Sequence, residues 1–485
     1  MATHLRPGPG VEGHDEIDGK DLLGAGEGDS LAVPGDGRAD PHGGGRRTPL
    51  SPAERRWLIG IVALAALLRI AWLAFNHVEP PSGFGGDQHM YWYHATEIAE
   101  GRGYHVMGST EPTAYYPVGF PALLAGLRLI FDPVPFLSHE PMLVLGAFQV
   151  VVSVATVVLT FVVGRRLLGP RAGLVAAAVM AVFPNSVYQV TAVQLETTFL
   201  FLSMAALAVI VDHDWSSGPP GRNRLLAFGA VLAAAALVRP FAAPLLLGLF
   251  LALLAVGTGW RRALLATAIP VGVLVVAFVP WTIRNAVRLD AFVPSSTNMG
   301  DTLCIDRSDG ATGGFRWASH DGCVDPDLPE VERNRANTER AVEWVVHNPA
   351  HEVVQIGRRA HLMFAEDNDG IEAVETLGSG PIFSDGTRTF YERAGDWYFL
   401  VVLAAALVGL PWLVRRSPRP ERRLVLALMV SLLAIPLLLW GNPRFHIPLT
   451  PFLALSAAAV LTSRSPASPA PAVAGASEAP GDGDE

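Results

Sequence analysis

Ten apolar runs decide what this chain can fold into. A hydrocarbon core about 30 Å thick needs close to 20 mostly apolar residues per crossing helix. Runs that answer this requirement lie at 57–76, 142–163, 170–190, 195–211, 225–239, 241–257, 263–281, 397–414, 423–440 and 446–462. Several are short, or carry Pro184, Pro240 or Pro436. Such breaks are tolerated where neighbouring helices or a cavity satisfy the freed backbone. Half of the residues are hydrophobic and only 17% are charged, well under the roughly 25% of a soluble domain. The chain therefore reads as an α-helical polytopic membrane protein of about ten transmembrane helices. A further apolar stretch, 117–131, is too short and Pro-rich to span, and is placed as an interfacial helix.

The two ends have a different character. Residues 1–50 are rich in Gly, Pro, Asp and Glu without apolar periodicity, so they are expected to stay disordered. The stretch 464–485 is a Pro/Ala/Ser/Gly tail of the same kind. The first apolar run begins at Trp57 and no small-residue cleavage site closes it, so it is read as a retained first span. The net charge of −9 comes partly from the acidic tails and gives no reason to expect a nucleic-acid partner. Two cysteines cannot build a disulfide scaffold or a four-ligand zinc site.

Arginines set the orientation, since cytoplasmic loops carry excess Lys and Arg and Lys20 is the sole lysine. With the N-terminus inside, the inside ends hold Arg46, Arg47, Arg55 and Arg56, then Arg165, Arg166 and Arg171. Arg222 and Arg224, Arg261 and Arg262, the group from Arg415 to Arg423, and Arg464 complete the pattern. It closes only if 117–131 does not cross. The expected organisation is a cytoplasmic tail (1–50), a membrane domain (51–281) with a first external loop at 77–141, and an extracytoplasmic domain (282–396). C-terminal transmembrane helices (397–463) and a second cytoplasmic tail (464–485) follow. The expected location is the plasma membrane.

Two segments then fall outside. In the first, Asp87 opens a helical stretch after Gly85 and Gly86, and spacing of 3.6 aligns Asp87, Tyr91, His94 and Ile98 on one face. An acid at that position serves equally as an ordinary helix cap or as a functional group. The second, 282–396, is too long for a plain connection. It is expected to form a small α or α/β domain with a helix across 331–347. Cys304 and Cys323 are either bridged in an oxidising compartment, the pairing expected here, or two free buried thiols. The spacings of His89, His94 and His105 match no standard ligand set. No metal site is read, and a divalent metal is left open as a cofactor.

Three stretches resemble a known family. GDQHMYWYHATEIAEGRGY followed by PTAYYPVGFPALLAGL is similar to the first external loop of GT-C fold glycosyltransferases. The branch is that of the protein mannosyltransferases (family 39) and aminoarabinose transferases. PWTIRNAVRLDAFVPSSTNMGDTL and GNPRFHIPLTPFLAL resemble elements after the seventh span and at the last external turn. The likeness covers roughly 57–462. It implies an inverting transferase, a polyprenyl-phosphate-linked sugar as donor, and an acid in the first external loop as catalytic base. By position that acid is Asp87. Gln88 stands where many relatives have a second acid, which puts a two-carboxylate metal site in doubt.

The chemistry fits these residue types. A sugar on a phosphate already has a good leaving group, while the acceptor hydroxyl must lose a proton to a placed carboxylate. The departing phosphate wants guanidinium donors. Arg444 is the first candidate, with His446 beside it and Arg284 and Arg239 at span ends on the same face. Each arginine has an alternative as an interfacial side chain snorkelling to head groups. Tyr91, His94, Tyr116 and Glu196 are expected to line the substrate cavity, with Glu196 either there or structurally paired to an arginine. A sugar-sized gap is expected between Asp87 and Arg444. Arg69, inside the first span, is expected in a structural ion pair. The partners implied are the donor lipid, an unknown hydroxyl acceptor and the bilayer. The alternative function is a transporter or lipid flippase, which the lack of an internal repeat disfavours.

Overall fold

The computed structural model describes residues 49–76, 79–81, 86–308, 310–316, 323–325, 327–375 and 382–463. The expected tails lie outside the described residues, apart from Pro49 and Leu50. The chain is a multi-pass helical membrane protein, and all ten apolar runs fall on helices. Helix α1 (Pro52–Phe75) opens with a capping box in which Ser51 and Glu54 satisfy each other's backbone N–H. Helices α2 (Gly86–Ala99) and α3 (Gly119–Phe131) follow, the second at the stretch read as interfacial. Helix α4 (Pro141–Leu168) turns at Gly169 into α5 (Pro170–Ala181). Gly169 has φ +95°, and a Cβ at Gly173 would lie 2.8 Å from the Phe161 carbonyl, so small residues set this close hairpin.

The next elements are α6 (Pro184–Tyr188), a 3-10 turn (Gln189–Thr191), α7 (Glu196–Val211), α8 (Arg222–Val238) and α9 (Leu245–Ala255). Helix α10 (Trp260–Leu289) leads to α11 (Met299–Cys304), α12 (Glu330–His347), α13 (Pro349–Phe364) and α14 (Asp369–Glu375). The chain closes with α15 (Asp385–Arg416), α16 (Arg419–Leu439), a 3-10 stretch (Pro443–Leu449) and α17 (Thr450–Ser463).

Among the described residues, fewer than ten helices reach full spanning length by length and composition. Five are long and apolar enough to cross (α1, α4, α10, α15 and α16), and a sixth if the bent pair 170–181 and 184–191 counts as one. Helices α7 and α9 are shorter, because polar or Pro-bearing segments interrupt the apolar runs before a full thickness is reached. The interruption between α5 and α6 is the most informative. The chain bends there by 61°, which leaves the last carbonyls of α5 without helical partners.

Arg69 fills that gap. It is fully buried, and its guanidinium donates to the carbonyls of Ala181 (2.8 Å) and Met180 (3.3 Å) and to the Ser153 hydroxyl (2.7 Å). The ion pair expected of Arg69 is therefore replaced by backbone capping. Trp72 donates to Thr191 (3.1 Å) and Gln149 to the Ala192 carbonyl (2.6 Å), so side chains of α1 and α4 satisfy the broken stretch. A small cavity of about 10 Å³ lies beside it, lined by Ser153, Ser186, Gln189, Thr197, Leu200 and Ile447.

The segment between α10 and α15 is helical, with no strand among the described residues and only isolated bridges such as Gly314 with Gly441. Helix α12 stands where the charge and apolar spacing placed it. Cys304 and Cys323 are joined as a disulfide, with their Cα atoms 5.7 Å apart. Beyond α11, Arg359 is fully buried between Asp306 (2.7 Å) and Glu352 (2.6 Å) and donates to the Leu437 carbonyl (3.0 Å). Arg307 bonds Glu352 (3.1 Å) and the Leu438 carbonyl (2.5 Å). The two guanidiniums thus cap the end of α16, just before the turn that carries Arg444.

Candidate active site

Helix α2 brings Asp87 to the surface of a buried charge cluster. Its Oδ2 accepts from Arg444 Nη1 at 2.6 Å, and its Oδ1 accepts from the Tyr116 hydroxyl at 3.0 Å. These bonds occupy the carboxylate, so capping its own helix is not its role among the described residues. The Asp87 side chain stays 28% exposed. Burial works to raise its pKa, but the charge and hydrogen bond of Arg444, with help from Tyr116, hold it below the ordinary carboxylate value.

Glu196, the first residue of α7, is fully buried beneath. Its Oε1 accepts from Arg444 Nε at 3.1 Å and lies 3.4 Å from Arg239 Nη1. Arg239 Nη1 makes no hydrogen bond to a described residue, although the guanidinium packs over the rings of Phe241 and Phe445. Glu196 is therefore structurally paired and also part of the cluster. The line Asp87, Arg444, Glu196, Arg239 alternates in sign. The sugar-sized gap expected between Asp87 and Arg444 is absent, because the two charges meet directly.

The remaining expected residues divide. Tyr91 packs edge-on to Tyr116 and Phe120 directly behind Asp87. His94 stacks on Tyr104 at 3.9 Å, fully buried, and its burial lowers the imidazole pKa to about 4. It is a neutral packing residue, not an open cavity wall. Arg284 donates to the carbonyls of Thr113 (2.6 Å) and Tyr104 (2.5 Å), which fixes the loop leading to Tyr116. His446 is fully buried, with Nδ1 2.5 Å from the Met363 carbonyl and Nε2 2.7 Å from Asp367 Oδ1. Arg284 and His446 thus hold neighbouring backbone and carboxylate rather than lying open to a phosphate. Both ring nitrogens of His446 are engaged, and three bonds hold Arg284 toward Thr113, Tyr104 and Asn285.

Glu330 and Asp369 were not singled out from the sequence, and the structural part played by Gln88 was not foreseen. Glu330 accepts from Thr113 (2.5 Å), the Ala114 N–H (2.8 Å) and Thr297 (2.6 Å), pinning the strand-like stretch before Tyr116. Gln88 donates to the Ala373 carbonyl (2.6 Å) and accepts from the Val193 N–H (2.7 Å), so it ties α14 to the break before α7. Asp369, at the start of α14, accepts from Gln189 at 2.7 Å. An acid at the start of a short segment after a helix is the only mark the sequence offers for Asp369. Among the described residues no group of three or more His, Cys, Asp or Glu side chains is placed to hold a metal ion.

A profile of the dolichyl-phosphate-mannose-protein mannosyltransferase family matches residues 127–283. The chain resembles the protein mannosyltransferases. The matched stretch contains Glu196 and Arg239, while Asp87 and Arg444 flank it on either side. No curated protein matches the sequence. Among solved structures, the archaeal oligosaccharyltransferase AglB from Archaeoglobus fulgidus, in complex with an inhibitory peptide and a dolichol-phosphate, is 15% identical, with a TM-score of 0.47. That match covers 85% of this chain and 51% of AglB, so the chain spans about half the length of that enzyme. ArnT from Cupriavidus metallidurans, bound to undecaprenyl phosphate, is 16% identical with a TM-score of 0.39, over 84% of this chain and 78% of ArnT.

Proposed function

We propose that the chain is an inverting glycosyltransferase that moves a sugar from a polyprenyl-phosphate donor to an acceptor hydroxyl. The reaction is assigned to the extracytoplasmic face of the plasma membrane, by the arginine distribution. The observation that carries the reading is the contact between a partly exposed carboxylate, Asp87, and a guanidinium that retains unused donors. Arg444 Nη2 has no hydrogen bond to a described residue, and Arg239 Nη1 has none either. Guanidinium donors without a hydrogen bond of their own, one of them 3.4 Å from the Glu196 carboxylate, are a ready site for a phosphate.

In the reaction the acceptor oxygen attacks the anomeric carbon as its bond to the phosphate oxygen breaks. The bonding pair leaves with the phosphate, and the hydroxyl proton passes to Asp87. Attack opposite the leaving group inverts the anomeric centre. Arg444 and Arg239 take the charge that develops on the phosphate, and Glu196 keeps both guanidiniums aimed. The direct Asp87–Arg444 bond has a purpose in this scheme. A phosphate arriving on Arg444 competes for its N–H groups and frees Asp87 Oδ2. The carboxylate becomes a stronger base as the donor binds. Tyr116 retains Oδ1 and keeps the base in position.

The experiment is incubation of the purified protein in lipid with polyprenyl-phosphate sugars, reading release of the polyprenyl phosphate. Mass spectrometry of copurifying lipids indicates which donor to try first. Release of polyprenyl phosphate from at least one donor is expected. No release from any, with folded protein, would remove the reading.

A further inference from the structure

Helix α13 is built inside out. Glu352, Gln355, Arg359 and Met363 are its buried residues, and three of these four are polar or charged. The opposite side is apolar and open. Val353 is 69% exposed and Val354 53%, with Ala350 and Gly357 exposed on the same stripe. Spacings of three and four residues put each set on its own face of the helix. A helix resting on a protein in water shows the reverse arrangement, with its apolar face inward.

The polar side fixes where α13 lies. Arg359 donates to the Leu437 carbonyl at 3.0 Å, and a Cβ on Gly441 would lie 2.7 Å from the Arg359 carbonyl. This turn of the helix therefore rests on the end of α16. Two turns earlier, Glu352 accepts from Arg307 at 3.1 Å, and the same guanidinium donates to the Leu438 carbonyl at 2.5 Å. Both ends of a stretch about 10 Å long thus meet one end of α16, so α13 lies across that end. Helix α16 is long and apolar enough to cross the bilayer, and Leu438 near its end is 53% exposed. The lipid-facing surface of α16 runs up to the residues on which α13 sits, and the open valines lie at that level. Arg358 and His361, exposed beside the stripe, suit the polar level of the head groups.

We propose that α13 is a membrane-docking helix. It lies in the plane of the interface, with the Val353 and Val354 face among the acyl chains of the leaflet at the outer end of α16. The partner is the lipid surface itself and not another protein. The segment read from its charge as an extracytoplasmic domain is then partly seated in the bilayer. The Met363 carbonyl of the docked helix, 2.5 Å from His446 Nδ1, also steadies the turn that carries Arg444.

The test places a nitroxide label on single cysteines at Val353 and Val354, in the full chain reconstituted into phospholipid vesicles. The native cysteines are tied up in their disulfide. Both valines face outward, so labelling leaves the packed side of the helix intact. Arg335, exposed on α12, is the water reference, and Val430, exposed on α16, is the lipid reference. Oxygen concentrates among acyl chains. Its collisions with labels at Val353 and Val354 should exceed those of a water-soluble nickel chelate several-fold, as at Val430. The label depth should come out about 5–10 Å inside the head-group boundary, and the ratio at Arg335 should be reversed. Nickel collisions dominating at Val353, the middle of the stripe, would overturn the proposal and make the face a water-exposed surface. Spin–spin broadening between labels on two copies, with both reagents kept out, would overturn it as well and make the face a protein interface.

Discussion

Arg444 Nη1 lies 2.6 Å from Asp87 Oδ2, across 357 residues of sequence. The contact joins the second helix to the turn before the last one, and the same guanidinium reaches down to Glu196. A single arginine therefore holds an exposed acid and a buried one together. Its fork geometry matters as much as its charge.

Replacement of Arg444 should separate these contributions. Arg444→Lys keeps the charge but cannot serve both carboxylates as the planar fork does, so transfer should fall and remain measurable. Arg444→Ala leaves Glu196 with Arg239 alone and should cost about 3–5 kcal/mol of stability, as for a broken buried pair, with transfer lost. Thermal melts alongside transfer rates check both. Near-native activity in both variants would make Arg444 an interfacial arginine with no donor role.

The pH profile follows from the direction of the Asp87 shift. Its folded pKa is depressed, so the ionised form and its ion pair persist as pH falls through the ordinary carboxylate value near 3.9 and are lost only below it. The acid limb of wild-type kcat/KM should therefore lie low. In Arg444→Lys, whose ammonium holds Asp87 less well, the limb should move to higher pH. An unmoved limb in that variant would detach Asp87 ionisation from Arg444.

Arg69 should behave as a structural cap. Arg69→Met fills similar space but leaves the Met180 and Ala181 carbonyls buried without a donor. Each orphaned group costs about 1–3 kcal/mol, so the melting temperature should drop markedly. A melt equal to wild type would show that the bent pair of helices supports itself.

The orientation is open to cysteine labelling. Ser109, Ser384 and Ser217 are all exposed. Cysteines placed at Ser109 and Ser384 should label from outside intact cells, while one at Ser217 should not. Labelling at Ser217 or protection at Ser384 would break the assigned topology.

What could be read from the sequence was local. The apolar runs, the helix opening at Asp87, and α12 each have a periodicity that one short window carries. The arginines and acids of the cluster were visible as charges at span ends, but their pairing was not. Arg444 meets Glu196 across 248 residues and Gln189 meets Asp369 across 180. Asp369, Glu330 and Gln88 take their meaning wholly from such distant partners, so no local spacing marks them. Arg69 was visible as a buried charge. Its partner was misread because backbone carbonyls freed by a bend leave no trace in composition. The helix breaks were illegible for a related reason: hydropathy finds apolar runs, but where a helix breaks depends on which neighbours accept the freed backbone.

The central claim is that Asp87 is the base, and Asp87→Asn tests it most directly. Asparagine keeps the size but has a single acceptor oxygen, so it keeps only one of the bonds from Tyr116 and Arg444, and a melt is run alongside to show that the variant is folded. It cannot take the acceptor's proton, so kcat for transfer from a polyprenyl-phosphate sugar should fall by about 10²-fold or more. Binding of the donor should survive. Transfer at the wild-type rate by a folded Asp87→Asn protein would contradict the account.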